Sequence, residues 1–365
     1  MKVAFNDFKK QYAAHKSEYD AAISRVLESG WYILGAEDEA FEKKFAEYTG
    51  AAYAIGVGNG LEALQIILLA LGIGPGDEVL TTSHSAVAST LAIRAVGATP
   101  VFVDIDTYYH LDASKVEAAV TPKTKAILPV HLYGQSADME SITAIAHKYS
   151  LFVVEDCAQA HGARQQGKHV GTFGTAGAFS FYPTKNLGAF GDGGAIITGD
   201  ASLAEKCRMI RNYGQKNRYE HLVFGINSRL DELQAAILSV QLTHLDQSNA
   251  RRTKIARLYS DNLSGIKQVT LPELRAGNTH AYHLFVIRAE RRDDLKAHLE
   301  SHGIAALIHY PIPIHEQQCF PEYNSLHLPI LERAVKEILS LPIHPYLTDE
   351  EVLFVVEKIK QFYAA

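Results

Sequence analysis

The chain has 365 residues, of which 47% are hydrophobic and 21% charged, and its formal net charge at pH 7 is −6. These proportions are typical of a folded protein with a sizeable core, and they exclude a disordered or collagen-like chain. The acidic balance argues against nucleic acid or an anionic membrane as partner, because both are bound mainly through excess Lys and Arg. No apolar run approaches the roughly 20 residues that cross a bilayer, and the early polar residues do not predict a secretory signal, so we expect a cytoplasmic protein.

The predicted elements alternate between strand and helix from about residue 51 to residue 200. Seven apolar or β-branched runs predict strands over 52–57, 78–82, 101–104, 126–130, 152–155, 178–181 and 195–198. Helical spacing of apolar residues predicts helices over 61–71, 86–96 and 141–148. Strands that are apolar on both faces and alternate with helices indicate an α/β fold, with a mostly parallel seven-stranded sheet covered on both sides.

The pattern changes after residue 199, where a long helix is predicted over 231–263. A shorter β-α-β pattern follows over 283–288, 293–302 and 305–309, and helices over 331–339 and 349–362 close the chain. We therefore expect a large domain over residues 1–245 and a smaller C-terminal α/β domain over residues 246–365.

The cysteines and histidines predict no metal centre. Cys157, Cys207 and Cys319 are an odd number without CxxC spacing, so we expect three reduced thiols. The seventeen histidines lack a ligand spacing such as H-E-x-x-H, and we interpret them as hydrogen-bonding residues.

The first chemical motif runs from the strand end at Val57 through Gly58 and Gly60 into a helix. Glycine lets the backbone approach a ligand closely, and the free N–H groups of a first helical turn favour a phosphate. A turn of this kind at Gly60 and Leu61 is equally consistent with a tight connection between strand and helix that binds no ligand.

Two further residues follow strands. Asp156 ends an apolar strand, where a carboxylate needs a partner, although Asp also serves well as a helix N-cap. Lys185 follows the strand that ends near Ser180, in a place where many lysines simply extend to the surface.

The order of these features, a phosphate-type loop, an acid and then Ser and Lys, indicates a pyridoxal 5′-phosphate site. Lys185 would form a Schiff base with the coenzyme aldehyde, which requires an amine with a pKa below the usual value of about 10.4, and once released it would act as general base. Asp156 would face the pyridine nitrogen and Gln159 the phenolic oxygen. Ser180 and the N–H groups from Gly60 onward would bind the phosphate.

Three long segments make the chain resemble the DegT and StrS family of nucleotide-sugar aminotransferases. They are Phe181-Tyr182-Pro183-Thr184-Lys185-Asn186-Leu187-Gly188, Asp156-Cys157-Ala158-Gln159-Ala160-His161-Gly162 and Gly225-Ile226-Asn227-Ser228-Arg229-Leu230-Asp231. The resemblance extends from Gly30-Trp31-Tyr32-Ile33-Leu34-Gly35 to His309-Tyr310-Pro311-Ile312-Pro313.

The resemblance implies a fold type I coenzyme enzyme that moves an amino group from L-glutamate to a nucleotide-linked keto-6-deoxyhexose. It further implies a homodimer with active sites at the subunit interface, in which Asn227 reaches the coenzyme phosphate of the partner subunit. The alternative is that Asn227 caps a helix and Arg229 is a solvated surface charge.

Two positions depart from the commoner family pattern. Leu61 stands where many members have a Thr that assists the phosphate, and this variant resembles the branch that acts on 3-keto sugars carried by dTDP. A 4-keto sugar, or UDP or GDP as carrier, is the alternative. Ala86 stands where an aromatic often stacks on the coenzyme, so His84 is the candidate for stacking, with a purely structural His84 as the alternative.

Seven residues are candidates for substrate contacts, namely Tyr182, Lys216, Arg218, Tyr219, Arg229, His309 and Tyr310. For the segment around Arg218, a mobile charged loop is the alternative. Sugar dehydratases of the same family carry His in place of the Schiff-base lysine, and a regulatory homologue without turnover would have a broken catalytic set. The presence of Lys185 and Asp156 argues against both.

Overall fold

The computed structural model describes residues 1–364. The helices within this range are α1 (Phe8–Ala14), α2 (Lys16–Ser29), α3 (Ala36–Thr49), α4 (Gly60–Ala70), α5 (Ala88–Ala95), α6 (Ala113–Val116), α7 (Met139–Tyr149), α8 (Ala201–Arg211), α9 (Glu232–Leu263), α10 (Arg292–Ser301), α11 (Pro329–Glu337) and α12 (Asp349–Ala364). The strands are β1 (Tyr53–Val57), β2 (Glu78–Thr82), β3 (Thr99–Val103), β4 (Thr124–Leu128), β5 (Phe152–Asp156), β6 (Arg164–Gln165), β7 (Lys168–His169), β8 (Ala176–Ser180), β9 (Gly194–Thr198), β10 (Gln215–Asn217), β11 (Glu220–His221), β12 (Val269–Thr270), β13 (Phe285–Ala289) and β14 (Ile338–Leu341).

The centre of the fold is a seven-stranded sheet with the order β1-β9-β8-β5-β4-β2-β3. β9 runs antiparallel to both of its neighbours, and the other adjacent strands are parallel. The predicted α/β architecture with a mostly parallel seven-stranded sheet is therefore confirmed. Each predicted strand of this sheet corresponds to an observed one, with bounds that agree within a few residues.

Aromatic packing against one face of the sheet fixes the strand that leads to Lys185. Phe45 of α3 packs edge-on against Phe179 and Phe181, with ring centroids 5.0 and 5.5 Å apart. All three rings are buried. Burial of one such side chain stabilises the fold by roughly 1.5–3 kcal/mol, so the end of β8 is held rigidly.

The C-terminal sheet has the order β12-β13-β14 and differs from the sequence prediction. Residues 305–309 are not a strand, since Leu307 makes only an isolated bridge to Ser340. The third strand is instead β14, whose first two residues were predicted to end a helix. A short apolar run does not distinguish helix from strand, and Pro342 directly after β14 favours an extended residue before it.

The long helix α9 spans the boundary that we predict near residue 245. Its first half contributes Leu238 and Leu245 to a core on the large sheet, and its second half contributes Ile255 and Tyr259 to a separate core under the small sheet. These two cores support the two-domain division, which remains a proposal. None of the helices within residues 1–364 combines the length and apolar character needed to cross a membrane.

Candidate active site

Asp156 lies at the carboxyl end of β5, a position where ligands bind in open α/β sheets. One carboxylate oxygen accepts a hydrogen bond from the Ser89 hydroxyl at 2.8 Å, and the other accepts the Ala158 N–H at 3.1 Å. The Ser89 hydroxyl also lies 3.1 Å from the Ser85 hydroxyl. The carboxylate is buried and held in one orientation from two sides.

Ser89 was missed by the sequence analysis. It lies on α5, four residues after Ser85, so both hydroxyls lie on one face of the chain. A serine just before a predicted helix and another in its first turn are a weak signal, because the sequence does not show which strand end the helix faces.

Lys185 lies in the turn after β8 and faces the Asp156 side of the sheet. Burial of the side chain lowers its pKa to about 8, and the negative charge of Asp156 acts in the opposite direction. The amine therefore exists partly as free base near neutral pH, as a nucleophile must.

Three neutral histidines surround Lys185. Burial lowers the pKa of His161 to about 3 and that of His309 to about 4, and it holds the pKa of His283 well below its usual range. In each case the positive charge of Lys185 is the second cause. Asp156 is thus the side chain that raises the pKa of Lys185 against the effect of burial, while the imidazoles remain uncharged.

This environment predicts how covalent attachment of the coenzyme depends on pH. Only the unprotonated Lys185 amine attacks an aldehyde, so the attachment rate rises with pH and reaches half of its maximum near pH 8. The measurement is the rate of the absorbance change when pyridoxal phosphate is added to coenzyme-free protein across pH 6–11. An ordinary lysine gives a midpoint near pH 10.4, which would contradict the environment described here.

A cradle for a phosphate is present where α4 begins. The Asn59 carboxamide caps the helix by accepting the Glu62 N–H at 2.9 Å, and the Asn59 carbonyl accepts the Ala63 N–H. Within residues 1–364, the Gly60 and Leu61 amides donate to no protein acceptor. Two free amides at a helix N-terminus attract an anion, and the Ser180 side chain lies directly beside them.

Gly60 is required because of close packing. A Cβ atom at this position would lie 2.7 Å from the Cβ of Ser180, closer than such atoms approach, and 3.2 Å from its Cα, which is a tight contact. We expect Gly60→Ala to raise the dissociation constant for pyridoxal phosphate about tenfold, since overpacking costs roughly 1–3 kcal/mol. Fluorescence titration measures this change. Gly265→Ala is the matched control, because no atom lies within 4 Å of its added methyl group, and equal affinities of the two variants would contradict the cradle.

Gln159 joins two tyrosines beside Asp156. Its carbonyl oxygen accepts the Tyr133 N–H at 2.8 Å, and its amide donates to the Tyr310 hydroxyl at 3.0 Å. Burial raises the pKa of Tyr310 to about 12, with the charge of Asp156 as the second cause. The Tyr310 hydroxyl therefore stays protonated. Tyr310 and Gln159 are thus brought to the same site as Asp156.

His84 is buried and neutral, because burial lowers its pKa to about 3. Its Nε2 atom lies 2.7 Å from the Tyr133 hydroxyl, which itself donates to the carbonyl oxygen of His309. The Tyr133 hydroxyl has one proton, and it donates this proton to the His309 carbonyl oxygen. Nε2 of His84 therefore carries a proton and donates it to the Tyr133 hydroxyl oxygen. The His309 imidazole lies 2.9 Å from the Ser340 hydroxyl through Nδ1. His84, Tyr133 and His309 thus form one network.

Of the other predicted contacts only Tyr182 lies beside Lys185, where its carbonyl accepts the Lys185 backbone N–H at 2.8 Å. Lys216, Arg218 and Tyr219 lie in the exposed hairpin of β10 and β11. Arg229 donates to the Asn212 carboxamide at 3.0 Å and lies over the Tyr213 ring. Asn227 and Tyr182 are exposed.

The residues at this edge of the sheet fit pyridoxal 5′-phosphate. A cradle of two amides and a serine suits the phosphate, a fixed carboxylate suits the ring nitrogen, and an amine with a pKa of about 8 suits the aldehyde. The amide of Gln159 supplies a donor for the phenolic oxygen.

Known proteins resemble this chain over nearly its whole length. The dTDP-3-amino-3,6-dideoxy-alpha-D-galactopyranose transaminase of Aneurinibacillus thermoaerophilus is 52% identical over 99% of this chain and 99% of its own. The crystal structure of S. venezuelae DesV in complex with a ketimine intermediate has a TM-score of 0.98 and 47% identity, covering 100% of this chain and 99% of DesV. The crystal structure of NtdA from Bacillus subtilis with bound cofactor PMP has a TM-score of 0.93 and 34% identity, covering 100% of this chain and 86% of NtdA.

A family model matches almost the whole chain. The match covers residues 13–360, which include both sheets and every residue of the site described above. The chain belongs to the DegT/DnrJ/EryC1/StrS aminotransferase family.

Proposed function

We propose that this aminotransferase uses pyridoxal 5′-phosphate to move an amino group from L-glutamate to a 3-keto-6-deoxyhexose carried by dTDP. The observation that carries the proposal is the half-buried Lys185 amine, whose pKa of about 8 is influenced by the charge of the fixed Asp156 carboxylate. The choice of sugar is supported by the 52% identical relative, which is named for a dTDP-3-amino sugar, and by Leu61 after Gly60.

Each residue of the site has a part in the proposed reaction. When bound, the coenzyme supplies an electron-accepting ring that stabilises the charge left when a proton leaves the amino-bearing carbon. Asp156 would hold a proton on the ring nitrogen and so make the ring a better electron acceptor. The Lys185 amine, once free of the coenzyme, would take the proton from the amino-bearing carbon and deliver it to the coenzyme carbon C4′.

The neutral surroundings of Lys185 support its part as a base. An amine among His161, His283 and His309, all uncharged, loses its proton more readily than one in water. The free amides of Gly60 and Leu61 meanwhile anchor the coenzyme by its phosphate, so the ring keeps its place while the lysine moves.

The experiment that tests the substrate uses the pyridoxamine form of the enzyme. We expect dTDP-linked 3-keto-6-deoxyhexose to restore the pyridoxal absorbance in a single turnover. The 4-keto isomer and the UDP- and GDP-linked 3-keto sugars serve as comparisons. Faster reaction with the 4-keto sugar, or with another carrier, contradicts the proposed substrate, and reaction with a plain 2-keto acid but no sugar contradicts nucleotide-sugar transamination.

We also propose that the enzyme acts as a homodimer, with a second copy covering the hairpin of β10 and β11. Phe224 is 99% and Tyr219 85% exposed, and Leu222 and Val223 between them are exposed too. Trp31 and Tyr32 form a second exposed aromatic pair. Apolar surface of this kind marks an interaction site, and Asn227 lies close to the hairpin in the chain.

A complementation experiment tests the dimer. Lys185→Ala removes the base from its own site, and Asn227→Ala removes the residue proposed to serve the partner's site. In randomly mixed dimers one site of each heterodimer is intact, so we expect about a quarter of wild-type activity to return after mixing two inactive variants. No recovery, although sequential affinity purification through a different tag on each variant shows mixed dimers, would contradict a shared site. A monomer in solution would contradict it as well.

A sugar dehydratase is the weaker alternative. Members with that activity, as the sequence resemblance implies, carry His at the Schiff-base position, whereas this chain has Lys185. The environment of Lys185 favours transfer, because an amine with a lowered pKa serves as both anchor and base.

A further inference from the structure

A cluster of His and Glu side chains lies away from the coenzyme site, where the segment after Tyr310 meets the start of α11. It consists of His315, Glu316 and Glu332, whose ligand-type atoms lie within 4.8 Å of one another. His327 joins it, with Nδ1 3.6 Å from a Glu332 oxygen. We propose that this cluster binds a divalent zinc ion.

His315 is oriented as a metal ligand usually is. Its side chain is 1% exposed, and its Nδ1 lies 2.8 Å from the Ser83 hydroxyl. The same hydroxyl accepts the His315 backbone N–H at 2.9 Å, and the Ser83 carbonyl accepts the Ile314 N–H at 3.0 Å. Metal-binding histidines almost always use their second ring nitrogen for such a hydrogen bond, which fixes the ring and directs the first nitrogen at the ion.

The other nitrogen, Nε2 of His315, is buried and has no hydrogen-bond partner among the described residues. It lies 3.7 Å from Glu332 Oε1 and 3.9 Å from Glu316 Oε1. Both distances are too long for a hydrogen bond. Ligand atoms about 2.0–2.2 Å from a tetrahedral zinc ion are themselves roughly 3.3–3.6 Å apart, so a small closure of the two carboxylates completes the geometry.

The charge of the cluster also favours a divalent cation. In the part of the chain that the structure describes, neither Glu316 nor Glu332 has a Lys or Arg nitrogen within 4 Å. Two carboxylates thus converge on a histidine without a compensating positive charge. His327 is 83% exposed on its side chain and can rotate to supply a fourth ligand. Two imidazoles and two carboxylates are a ligand set that zinc accepts.

Two other groups of His, Glu and Cys side chains lack these features. Glu155 accepts hydrogen bonds from three backbone amides and lies 2.9 Å from His131, so its oxygens are already used. Glu18 lies 3.0 Å from His244 and 3.2 Å from His15, which are ordinary hydrogen-bond distances. In the His315 cluster the buried Nε2 has no partner among the described residues, and both carboxylates lie beyond hydrogen-bond reach of it. Glu332 Oε1 accepts the Leu328 N–H at 2.8 Å, and this bond orients the carboxylate while leaving its other oxygen and a second lone pair for an ion.

The direct test is a crystal of the coenzyme-loaded enzyme soaked in zinc chloride, with data collected on both sides of the zinc absorption edge. We expect one anomalous peak between His315 Nε2 and the oxygens of Glu316 and Glu332. Magnesium chloride, a hard cation that prefers oxygen ligands, should give no ordered ion there. No anomalous peak at this position, or peaks only at other histidines, overturns the proposal.

Variants provide an independent test in solution without disturbing the buried His315. We expect His327→Ala and Glu316→Gln each to weaken zinc binding at least about tenfold by calorimetry, because each removes one ligand. His147→Ala, an exposed histidine outside the cluster, and His244→Ala should leave the affinity unchanged. If both cluster variants bind zinc as wild type does, or if only His244→Ala loses binding, the assignment is wrong.

Discussion

Lys185→Ala is expected to lower kcat for amino transfer by a factor on the order of 10⁴, because one side chain is both coenzyme anchor and general base. The variant should also fail to show the absorbance of covalently bound coenzyme. Its fold should persist, since burial disfavours the Lys185 ammonium and its removal relieves that cost. Thermal unfolding of the coenzyme-free variant is therefore expected at a temperature no lower than that of wild type.

The control for this prediction is Lys123→Ala, which removes an exposed lysine far from the site in the chain. It should retain both activity and covalent coenzyme. Rescue offers a second check, because a small primary amine added to Lys185→Ala can replace the missing base and should restore part of the rate. Undiminished turnover by Lys185→Ala would show that another group carries the proton.

Asp156→Asn is expected to lower kcat on the order of 10³-fold, the scale of losing one electrostatic contact to a charge that develops during the reaction. Asn retains the size of the side chain: its carbonyl oxygen can accept the Ala158 N–H, and its NH2 group can donate to the Ser89 hydroxyl oxygen in place of the bond that Ser89 donates to Asp156. The loss therefore reports the missing negative charge opposite the ring nitrogen. Steady-state kinetics and the coenzyme spectrum across pH measure it.

The matched control for Asp156→Asn is Asp200→Asn. Asp200 also follows a strand, β9, and it caps α8 by accepting the Ser202 and Leu203 amides. Asn caps a helix about as well as Asp, so this change should be nearly neutral. If the two substitutions behave alike, Asp156 is only a cap, which was the alternative interpretation of its sequence position.

Local sequence patterns predicted the large sheet and the core of the site. The strand over 78–82 was predicted with its observed bounds. Asp156 is the last residue of β5, and Lys185 lies in the turn after β8. Parallel strands buried on both faces are apolar throughout, which makes them easy to recognise. The order of Gly60, Asp156 and Lys185 along the chain was the basis for predicting a pyridoxal phosphate site.

Features that depend on tertiary contacts could not be predicted from local sequence patterns. Ser89 reaches Asp156 across 67 positions in the chain, and Tyr310 reaches Gln159 across 151. The first two residues of β14 were predicted as the end of a helix, since pairing with β13, rather than the local sequence, makes this segment a strand. The helices over 8–49 were not predicted at all, since α2 and α3 become stable by packing on α9, and α1 packs on α2.

The central claim is that Lys185 is the residue that bonds to the coenzyme. Borohydride reduction of the pyridoxal phosphate-loaded enzyme makes that bond permanent, and peptide mass spectrometry then locates it. We predict a single modified peptide, with the added mass on Lys185. A modification on any other lysine, or an unmodified Lys185 peptide from fully active enzyme, would contradict the account.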